Sequence, residues 1–236
     1  MKRFFTLLMV ALVCIGASAQ IAQEAYNKWH QNKFSMFIHF GLYSVYGGVY
    51  NGKPVTFGYS EQIQSFAGIF SDWYADTALQ FDPVKFNADE IVSLAKAAGM
   101  RSIVITTKHH DGFCMFNTAT TEYNSVNATP SKRDYVKELS EACRRGGINF
   151  AMYYSLIDWN FPHAYPISSH NCDFITPQHH EFSKAQITEL LTNYGPVSEL
   201  WFDMGSNQPE QSKELYELVH KLQPDCMVSG RLGNGW

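Results

Sequence analysis

Apolar residues recur at helical spacing in four segments of the chain. Each segment fills positions i, i+3 and i+7, and three also fill i+4, which predicts four helices with one face against a core. The apolar positions are Ile91, Leu94, Ala95 and Ala98; Val136, Leu139 and Cys143; Ile187, Leu190, Leu191 and Tyr194; and Leu215, Leu218, Val219 and Leu222. Asn87 and Glu90 match a capping box before the first helix. Gly99, Gly146 and Gly195 follow three of the helices, where a left-handed residue commonly ends a helix.

Short apolar runs alternate with these helices and have the length of buried strands. The five runs are SMFIHFG (35–41), SIVITT (102–107), NFAMYYS (149–155), ELWFDMG (199–205) and CMVSGR (226–231). Because nearly continuous apolar strands alternate with helices, the sequence predicts an α/β protein with a parallel sheet that helices cover.

Polar or aromatic residues stand at the C-terminal end of every predicted strand. They are His39; Lys108, His109, His110 and Asp111; Tyr153 and Ser155; Asp203; and Arg231. A (β/α)8 barrel builds its active site at this end of its strands, whereas a doubly wound sheet concentrates ligand groups at one switch point beside a glycine-rich loop. No GxGxxG or GxxxxGK[ST] motif follows these strands, so the pattern favours a TIM-like (β/α)8-type barrel.

The number of predicted strands indicates how much of a barrel the chain contains. Five strands are too few to close an eight-stranded barrel, which takes about 250 residues. We therefore expect a barrel truncated after about five strands, with residues 20–236 as the N-terminal part of a catalytic domain.

Residues 1–19 combine two basic residues, an apolar run and a small-residue site, which predicts a cleaved signal peptide. We expect export to the periplasm or exterior of a bacterium, or lysosomal or secreted location in a eukaryote, without a membrane span.

Composition and charge narrow the functional classes. Hydrophobic residues make up 45% of the chain and charged residues 17%, which suits a globular domain with a sizeable core. The net charge of −4 offers no electrostatic attraction to nucleic acid or acidic lipid. The cysteines after the signal, Cys114, Cys143, Cys172 and Cys226, have no CxxC spacing, which disfavours structural zinc. Small buried thiols are favoured over disulfides.

The segment ELWFDMG supplies a candidate nucleophile. Because side chains alternate along a strand, Trp201 and Asp203 point to one face and Phe202 to the other. A carboxylate beside an aromatic ring at a strand end suits attack on the anomeric carbon of a sugar, with a covalent glycosyl-enzyme intermediate. The alternative is an aspartate that caps the following turn.

The segment TTKHHDGF places two imidazoles after another strand. Adjacent residues at a strand end are expected to point to opposite sides, and neither HxH nor HExxH occurs, so a metal site is disfavoured. Neutral imidazoles that hydrogen-bond hydroxyls are favoured, with Lys108 and Asp111 orienting them or pairing beneath them. Together with His39, Tyr153 and Arg231, these groups suit a neutral polyol and not a phosphate, which would demand more cations.

Five ordered motifs closely resemble the N-terminal catalytic domain of α-L-fucosidases, glycoside hydrolase family 29. They are FSMFIHFGLYS, TTKHHDGF, MYYS followed by IDW, LWFDMG and SGRLGN, and they cover nearly all of the mature chain. The resemblance implies a barrel-like domain that hydrolyses terminal α-L-fucosyl residues of oligosaccharides or glycoconjugates. It also implies retention of configuration, without a metal or an organic cofactor.

The resemblance also implies a role for each matching position. Asp203 matches the family's nucleophile. The positions that match substrate-binding residues are His39, Glu61, His109, His110, Tyr153, Trp201 and Arg231.

Two departures from the family pattern affect the expected activity. Many members carry a Glu-Trp pair where this chain has Glu61 and Gln62, and a glutamine lacks the flat apolar wall of a tryptophan. Trp73 lies too far along the chain to align with that tryptophan. The family's acid/base glutamate lies beyond the arginine strand, so we expect these 236 residues to be inactive alone and the full-length protein to be a fucosidase.

Two other functions remain open at this point. One is another retaining barrel glycosidase, for example one that acts on galactosides. The other is a non-catalytic fucose-binding protein that kept the pocket and lost the acid/base. The sequence does not determine the glycosidic linkage, the preferred aglycone, disulfide pairing or the oligomeric state.

Overall fold

A five-stranded parallel sheet organises the computed structural model, which describes residues 23–163 and 174–236. In spatial order its strands are β1 (Ser35–Ile38), β4 (Ser102–Lys108), β5 (Asn149–Ser155), β6 (Glu199–Asp203) and β7 (Met227–Gly230). A separate antiparallel pair consists of β2 (Val49–Tyr50) and β3 (Lys53–Pro54). The five predicted strands and the α/β class are confirmed.

Helices connect the parallel strands and cover the outer face of the sheet. Residues 23–30 form helix α1, which precedes the sheet. The excursion between β1 and the next long helix holds α2 (Tyr43–Tyr46), α3 (Ile63–Phe66), α4 (Ser71–Ala75) and two 3₁₀ turns, Ser60–Gln62 and Asp76–Gln80. The four predicted helices are α5 (Ala88–Ala97), α6 (Tyr135–Gly146), α7 (Pro177–Asn193) and α8 (Pro209–Leu222). Across residues 23–163 and 174–236, no helix combines the length and apolar character needed to cross a membrane.

The sheet separates two apolar layers of unequal size. The large layer lies between the sheet and the helices and includes Phe202, which is fully buried. The small layer lies on the opposite face, where Val104, Ala151 and Tyr153 pack with Phe37 and Trp201. Because neighbours along β6 enter different layers, the predicted alternation is confirmed.

The predicted apolar face of the first long helix is partly wrong. In α5 the buried positions are Ala88, Val92 and Ala95, while Leu94 is 65% exposed. Val92 enters the core because it packs against Gly146 of α6, where an added Cβ would lie 2.4 Å from Val92 Cγ1. This close approach, and not a left-handed conformation, accounts for that glycine. The left-handed residue that ends α6 is Gly147, with φ +66°.

The capping box before α5 is half formed. The Asn87 side chain accepts a hydrogen bond from the Glu90 backbone N–H at 3.2 Å, as predicted. The Glu90 carboxylate accepts from the Asn87 side-chain amide at 2.9 Å instead of from the backbone. Gly99 and Gly195 have positive φ after their helices, as predicted.

Two sequence predictions involve residues outside the described ranges. The signal peptide at residues 1–19 and Cys172 lie outside the described ranges. Cys114, Cys143 and Cys226 are buried free thiols, as predicted. Closure of the sheet into an eight-stranded barrel stays a prediction, since the described residues contribute five parallel strands.

Candidate active site

The register of the sheet brings three predicted site residues to one edge. β5 pairs with β6 so that Tyr153 lies beside Trp201, and Ser155 lies beside Asp203. β6 pairs with β7 up to Phe202 and Gly230, so Arg231 follows directly at the same edge. The carboxyl ends of these parallel strands therefore place a phenol, a carboxylate and a guanidinium side by side.

Asp203 is a buried carboxylate held by two donors. The Tyr153 hydroxyl donates to Asp203 Oδ2 at 2.6 Å, and Arg231 Nη1 donates to Asp203 Oδ1. Burial and the adjacent carboxylate raise the pKa of Tyr153 well above its usual value, so the phenol keeps its proton and can donate. The Arg231 side chain is 58% exposed, whereas that of Asp203 is 10% exposed. The predicted grouping of Asp203, Tyr153 and Arg231 is thus present in the structure.

An aromatic wall lies beside this carboxylate. The Phe37 ring meets Trp201 edge-on, with centroids 5.0 Å apart, and meets Tyr153 at 5.8 Å. His39 extends the wall, with its ring 4.7 Å from Phe37. These rings give the inner face of the sheet an apolar lining of the kind that binds the C–H faces of a sugar.

His39 and His109 lie next to this wall and form part of the rim of the candidate site at the strand ends. Their ring centroids are 5.5 Å apart, and His109 stacks on Tyr153 at 5.5 Å with an interplanar angle of 10°. Burial lowers the pKa of His39, although Glu61 and Asp203 oppose that shift. Burial, together with the two neighbouring histidines, holds the pKa of His109 well below its usual value. Both imidazoles are therefore neutral near pH 7 and suited to hydrogen-bond uncharged hydroxyls.

The His110 ring lies beside the His109 ring. The prediction that these adjacent side chains point to opposite sides was therefore wrong. The two ring centroids are 4.1 Å apart. The strand ends at Lys108 with a register shift, and a turn follows in which the Gly112 N–H donates to the His109 carbonyl at 3.0 Å, so strand alternation no longer applies. His110 Nδ1 is 2.7 Å from Ser155 Oγ, and burial lowers the pKa of His110 to about 3.

Glu61 reaches the site from the excursion after β1. It lies in the 3₁₀ turn Ser60–Gln62, where its negative charge acts on His39. Gln62, which the family resemblance matches to a tryptophan, is buried at 4% exposure. Trp73 lies on α4, packs on Phe70 with centroids 5.2 Å apart and is 63% exposed.

Lys108 and Asp111 contact other elements and do not pair with each other. Lys108 Nζ is 3.2 Å from Asp158 Oδ2 in the loop after β5. Asp111 Oδ2 accepts a hydrogen bond from the Tyr74 hydroxyl of α4 at 2.8 Å. The motif KHHDGF therefore supplies two histidines to the rim, and its flanking charges tie neighbouring loops to β4.

Two residues at the site were missed by the sequence analysis. Tyr43 of α2 meets the His109 ring edge-on at 5.3 Å, and the Trp159 ring lies 5.5 Å from that of His110. Both stand in stretches that carry the family resemblance, GLYS and IDW. Their contacts depend on how two loops fold over the sheet, which strand and helix spacing does not determine.

A candidate metal cluster among the described residues lies away from this site. His180 and Glu181 of α7 and Glu214 of α8 have ligand atoms within 4.8 Å of one another. Lys184 Nζ lies 2.7 Å from Glu181 Oε1 and 2.9 Å from Glu214 Oε2. One ammonium group therefore already forms ion pairs with both carboxylates.

We expect Asp111→Asn to change the pH dependence of stability. Burial raises the pKa of Asp111 to about 7, against the opposing hydrogen bonds from Tyr74 and Phe113. The folded state thus keeps a proton that the unfolded state loses near pH 4, and the carboxyl's contribution to stability falls as pH rises from about 4 to about 7. Relative to the parent, the variant should gain up to about 1.4 kcal/mol per pH unit in that range.

Urea unfolding of parent and variant at pH 5 and pH 7.5 measures this difference. His109 and His110 titrate with the opposite sign, but both proteins contain them, so their contribution cancels in the comparison. An equal difference between the two proteins at both pH values would contradict the prediction.

The chain is similar to known proteins over most of its length. The family model described as alpha-L-fucosidase matches residues 16–236. Alpha-L-fucosidase 1 of Arabidopsis thaliana is 31% identical over 215 residues, which cover 87% of this chain and 36% of the plant protein. Plasma alpha-L-fucosidase of Rattus norvegicus is 32% identical over 212 residues, which cover 84% of this chain and 38% of the rat protein. The chain thus spans little more than a third of the length of these curated relatives.

Solved structures give the same result at the level of the fold. Unliganded alpha-L-fucosidase AlfC from Lactobacillus casei superposes with a TM-score of 0.80 and 37% identity, over 90% of this chain and 72% of that one. A GH29 alpha-L-fucosidase from Bacteroides thetaiotaomicron gives a TM-score of 0.79 and 33% identity, over 88% of this chain and 48% of that one. The family-model match over most of the chain, together with these likenesses, shows that the chain belongs to the alpha-L-fucosidase family, glycoside hydrolase family 29.

Proposed function

We propose that the protein is a retaining exo-α-L-fucosidase that hydrolyses terminal α-L-fucosyl residues of oligosaccharides or glycoconjugates. The observation that carries the proposal is Asp203, a buried carboxylate at a strand end between Tyr153 and Arg231, on the same face as an aromatic wall. Structures of AlfC in complex with α-L-fucose product, and of an AlfC mutant with 4-nitrophenyl-α-L-fucopyranoside substrate, support the substrate class.

In this mechanism Asp203 attacks the anomeric carbon of the fucoside. The C1–O bond to the aglycone breaks, a general acid gives its proton to the leaving oxygen, and an ester forms between C1 and the Asp203 carboxylate. The general acid, now deprotonated and acting as a base, removes a proton from water, which attacks C1, breaks the ester bond to Asp203 and releases fucose with its original configuration. Tyr153 and Arg231 donate to the carboxylate before attack and stabilise it in the correct orientation.

The remaining rim residues are proposed to bind the sugar. His39, His109 and His110 are neutral near pH 7 and would hydrogen-bond fucose hydroxyls, as would Glu61 at the edge of the site. Trp201 would contact an apolar face of the ring. Recognition through these hydrogen-bonding groups and one aromatic wall is proposed to need no metal ion or organic cofactor.

The general acid/base is proposed to come from sequence that longer family members have beyond the part matched here. A retaining mechanism needs its second carboxyl about 5–5.5 Å from the nucleophile. Glu61 is assigned to sugar binding, and two other carboxylates nearby have partners of their own, since Asp111 accepts from Tyr74 and Asp158 pairs with Lys108. Glu199, on the same face as Asp203, accepts from Trp29 and Ser229 at the opposite end of its strand. Residues 20–236 alone are therefore proposed to be inactive or nearly so.

The location and architecture of the protein are part of the proposal. The basic residues, apolar run and small-residue site at residues 1–19 support removal of a signal peptide and export. The parallel sheet, with its helices on one face and its site at the strand ends, supports a complete (β/α)8-type barrel in the full-length protein.

The proposal is tested by incubating the full-length protein with 4-nitrophenyl-α-L-fucopyranoside and, separately, with 4-nitrophenyl-α-L-galactopyranoside. We expect release of nitrophenol from the fucoside, with α-L-fucose as the first anomer seen by proton NMR, and little release from the galactoside. Faster turnover of the galactoside would favour another retaining glycosidase. Binding of L-fucose without release of nitrophenol would favour a non-catalytic fucose-binding protein.

A further inference from the structure

The buried ion pair of Lys108 and Asp158 stands directly behind the candidate sugar site. Lys108 is the last residue of β4 and has no exposed surface, and Asp158 is 3% exposed. Lys108 Nζ is 3.2 Å from Asp158 Oδ2 and 4.5 Å from the centroid of the Tyr154 ring. Lysine is almost never fully buried in proteins unless it is paired. Because both side chains are buried, this pair is not a solvated pair at the protein surface.

The lysine keeps its charge in this environment. Burial lowers the pKa of Lys108, but the neighbouring oxygens of Tyr154 and Asp158 outweigh burial, and its net pKa lies above the usual value. The ammonium group is therefore a permanent partner for the Asp158 carboxylate across the ordinary pH range.

Asp158 uses its second oxygen to organise the loop after β5. Asp158 Oδ1 accepts hydrogen bonds from the backbone N–H groups of Asn160 at 2.9 Å and Phe161 at 2.8 Å. The same oxygen fills the space beside Gly112, where an added Cβ would lie 2.1 Å from it. One carboxylate thus joins the end of β4, the turn after it and the loop after β5.

That loop holds His110 on three sides. The Trp159 backbone N–H donates to the His110 backbone carbonyl at 2.8 Å, and the centroid of the Trp159 ring lies 5.5 Å from that of the imidazole. Ser155 Oγ lies 2.7 Å from His110 Nδ1 and donates to the Ile157 carbonyl at 2.9 Å. The backbone and ring of His110 therefore depend on residues 155–159, and the ion pair fixes those residues.

We propose that Lys108 and Asp158 are positioning residues that hold His110 in the orientation needed to bind a sugar hydroxyl. Neither side chain touches the substrate in this assignment, and they act only through the loop after β5. The kinetic part of the test rests on the proposed fucosidase function, whereas the spectroscopic part does not.

A test of the positioning role needs a variant that loses the ion pair but still folds. Replacing both members of a buried ion pair with neutral residues is often neutral or stabilising, whereas removing one member leaves a buried charge and can prevent folding. The double variant Lys108→Met/Asp158→Asn therefore removes both charges while keeping a folded protein. The asparagine introduced by Asp158→Asn retains an oxygen that can accept from the backbone, so loss of the tie to Lys108 is the main change.

The experiment compares the full-length parent with this double variant. We expect the KM for 4-nitrophenyl-α-L-fucopyranoside to rise about tenfold with a smaller change in kcat, because a contact to a bound hydroxyl weakens in ground and transition states alike. We also expect the ¹⁵N resonance of His110 Nδ1 to shift as its contact with Ser155 weakens. Tyr194→Phe, which removes a hydroxyl that donates to Asp134 Oδ2 at 2.7 Å and contacts neither Lys108 nor His110, is the matched control and should change neither value.

An unchanged KM together with an unchanged His110 resonance in the folded double variant would overturn the proposal. A parent protein that neither cleaves nor binds the fucoside would instead overturn the proposed function. In that case the His110 resonance alone decides whether the pair positions the ring, so the two failures remain distinguishable.

Discussion

Asp203→Asn is expected to lower kcat of the full-length protein for 4-nitrophenyl-α-L-fucopyranoside by about a thousandfold or more, while L-fucose still binds. Asparagine has nearly the same shape and keeps one oxygen to accept from Tyr153 or Arg231, both of which contact the carboxylate in the parent. Its amide cannot form the ester that the mechanism requires. The measurements are steady-state kinetics and calorimetric titration with L-fucose.

Glu199→Gln provides the matched control for this substitution. Glu199 lies on the same strand and the same face, and its carboxylate also accepts two hydrogen bonds, from Trp29 and Ser229. It stands at the N-terminal end of β6, away from the rim. We expect a kcat close to that of the parent for Glu199→Gln, and near-parental turnover by Asp203→Asn would remove Asp203 from the nucleophile role.

Gly230→Ala is expected to cost several kcal/mol of stability and to displace Arg231. Gly230 ends β7 with φ +81°, and an added Cβ would lie 2.1 Å from Trp201 Cδ1 and 2.2 Å from the Phe202 carbonyl oxygen. The backbone oxygen cannot move without breaking the pairing of β6 and β7. Overpacking and left-handed strain each cost about 1–3 kcal/mol, which sets the expected total.

Gly233→Ala separates these two costs. Gly233 has a similar φ of +85°, but the nearest atom to its added Cβ is Ser212 Oγ at 4.0 Å. This variant therefore bears the backbone strain alone, about 1–3 kcal/mol. Urea unfolding of both variants measures the difference, and equal losses of stability would contradict the steric account of Gly230.

The strands and the grouping of residues at the candidate site were predictable because their signals are local. Five apolar runs are long enough to be strands, and parallel strands must bring their carboxyl ends to one edge. The predicted positions of Tyr153, Asp203 and Arg231 follow from that rule and from alternation along each strand. The structure places Tyr153 and Arg231 each in direct contact with Asp203.

The details that failed depend on contacts between distant segments. Ile91 and Val92 are neighbours and both apolar, so spacing alone could not show that Gly146 would draw Val92 into the core. The His109 and His110 rings lie together because the strand ends in a turn, which alternation does not anticipate. The pairing of Lys108 with Asp158 joins residues 50 positions apart through a loop whose path no periodicity encodes.

The most direct test of the central claim is to trap the sugar on the protein. The full-length protein is incubated with a 2-fluoro-fucosyl fluoride, whose fluorine at C2 slows hydrolysis of the ester more than its formation, and is then digested and analysed by mass spectrometry. We predict a fluorofucosyl adduct on the peptide that contains ELWFDMG, localised to Asp203 by fragmentation. An adduct on a different carboxylate, or steady turnover of the fucoside with no covalent adduct, would contradict the account.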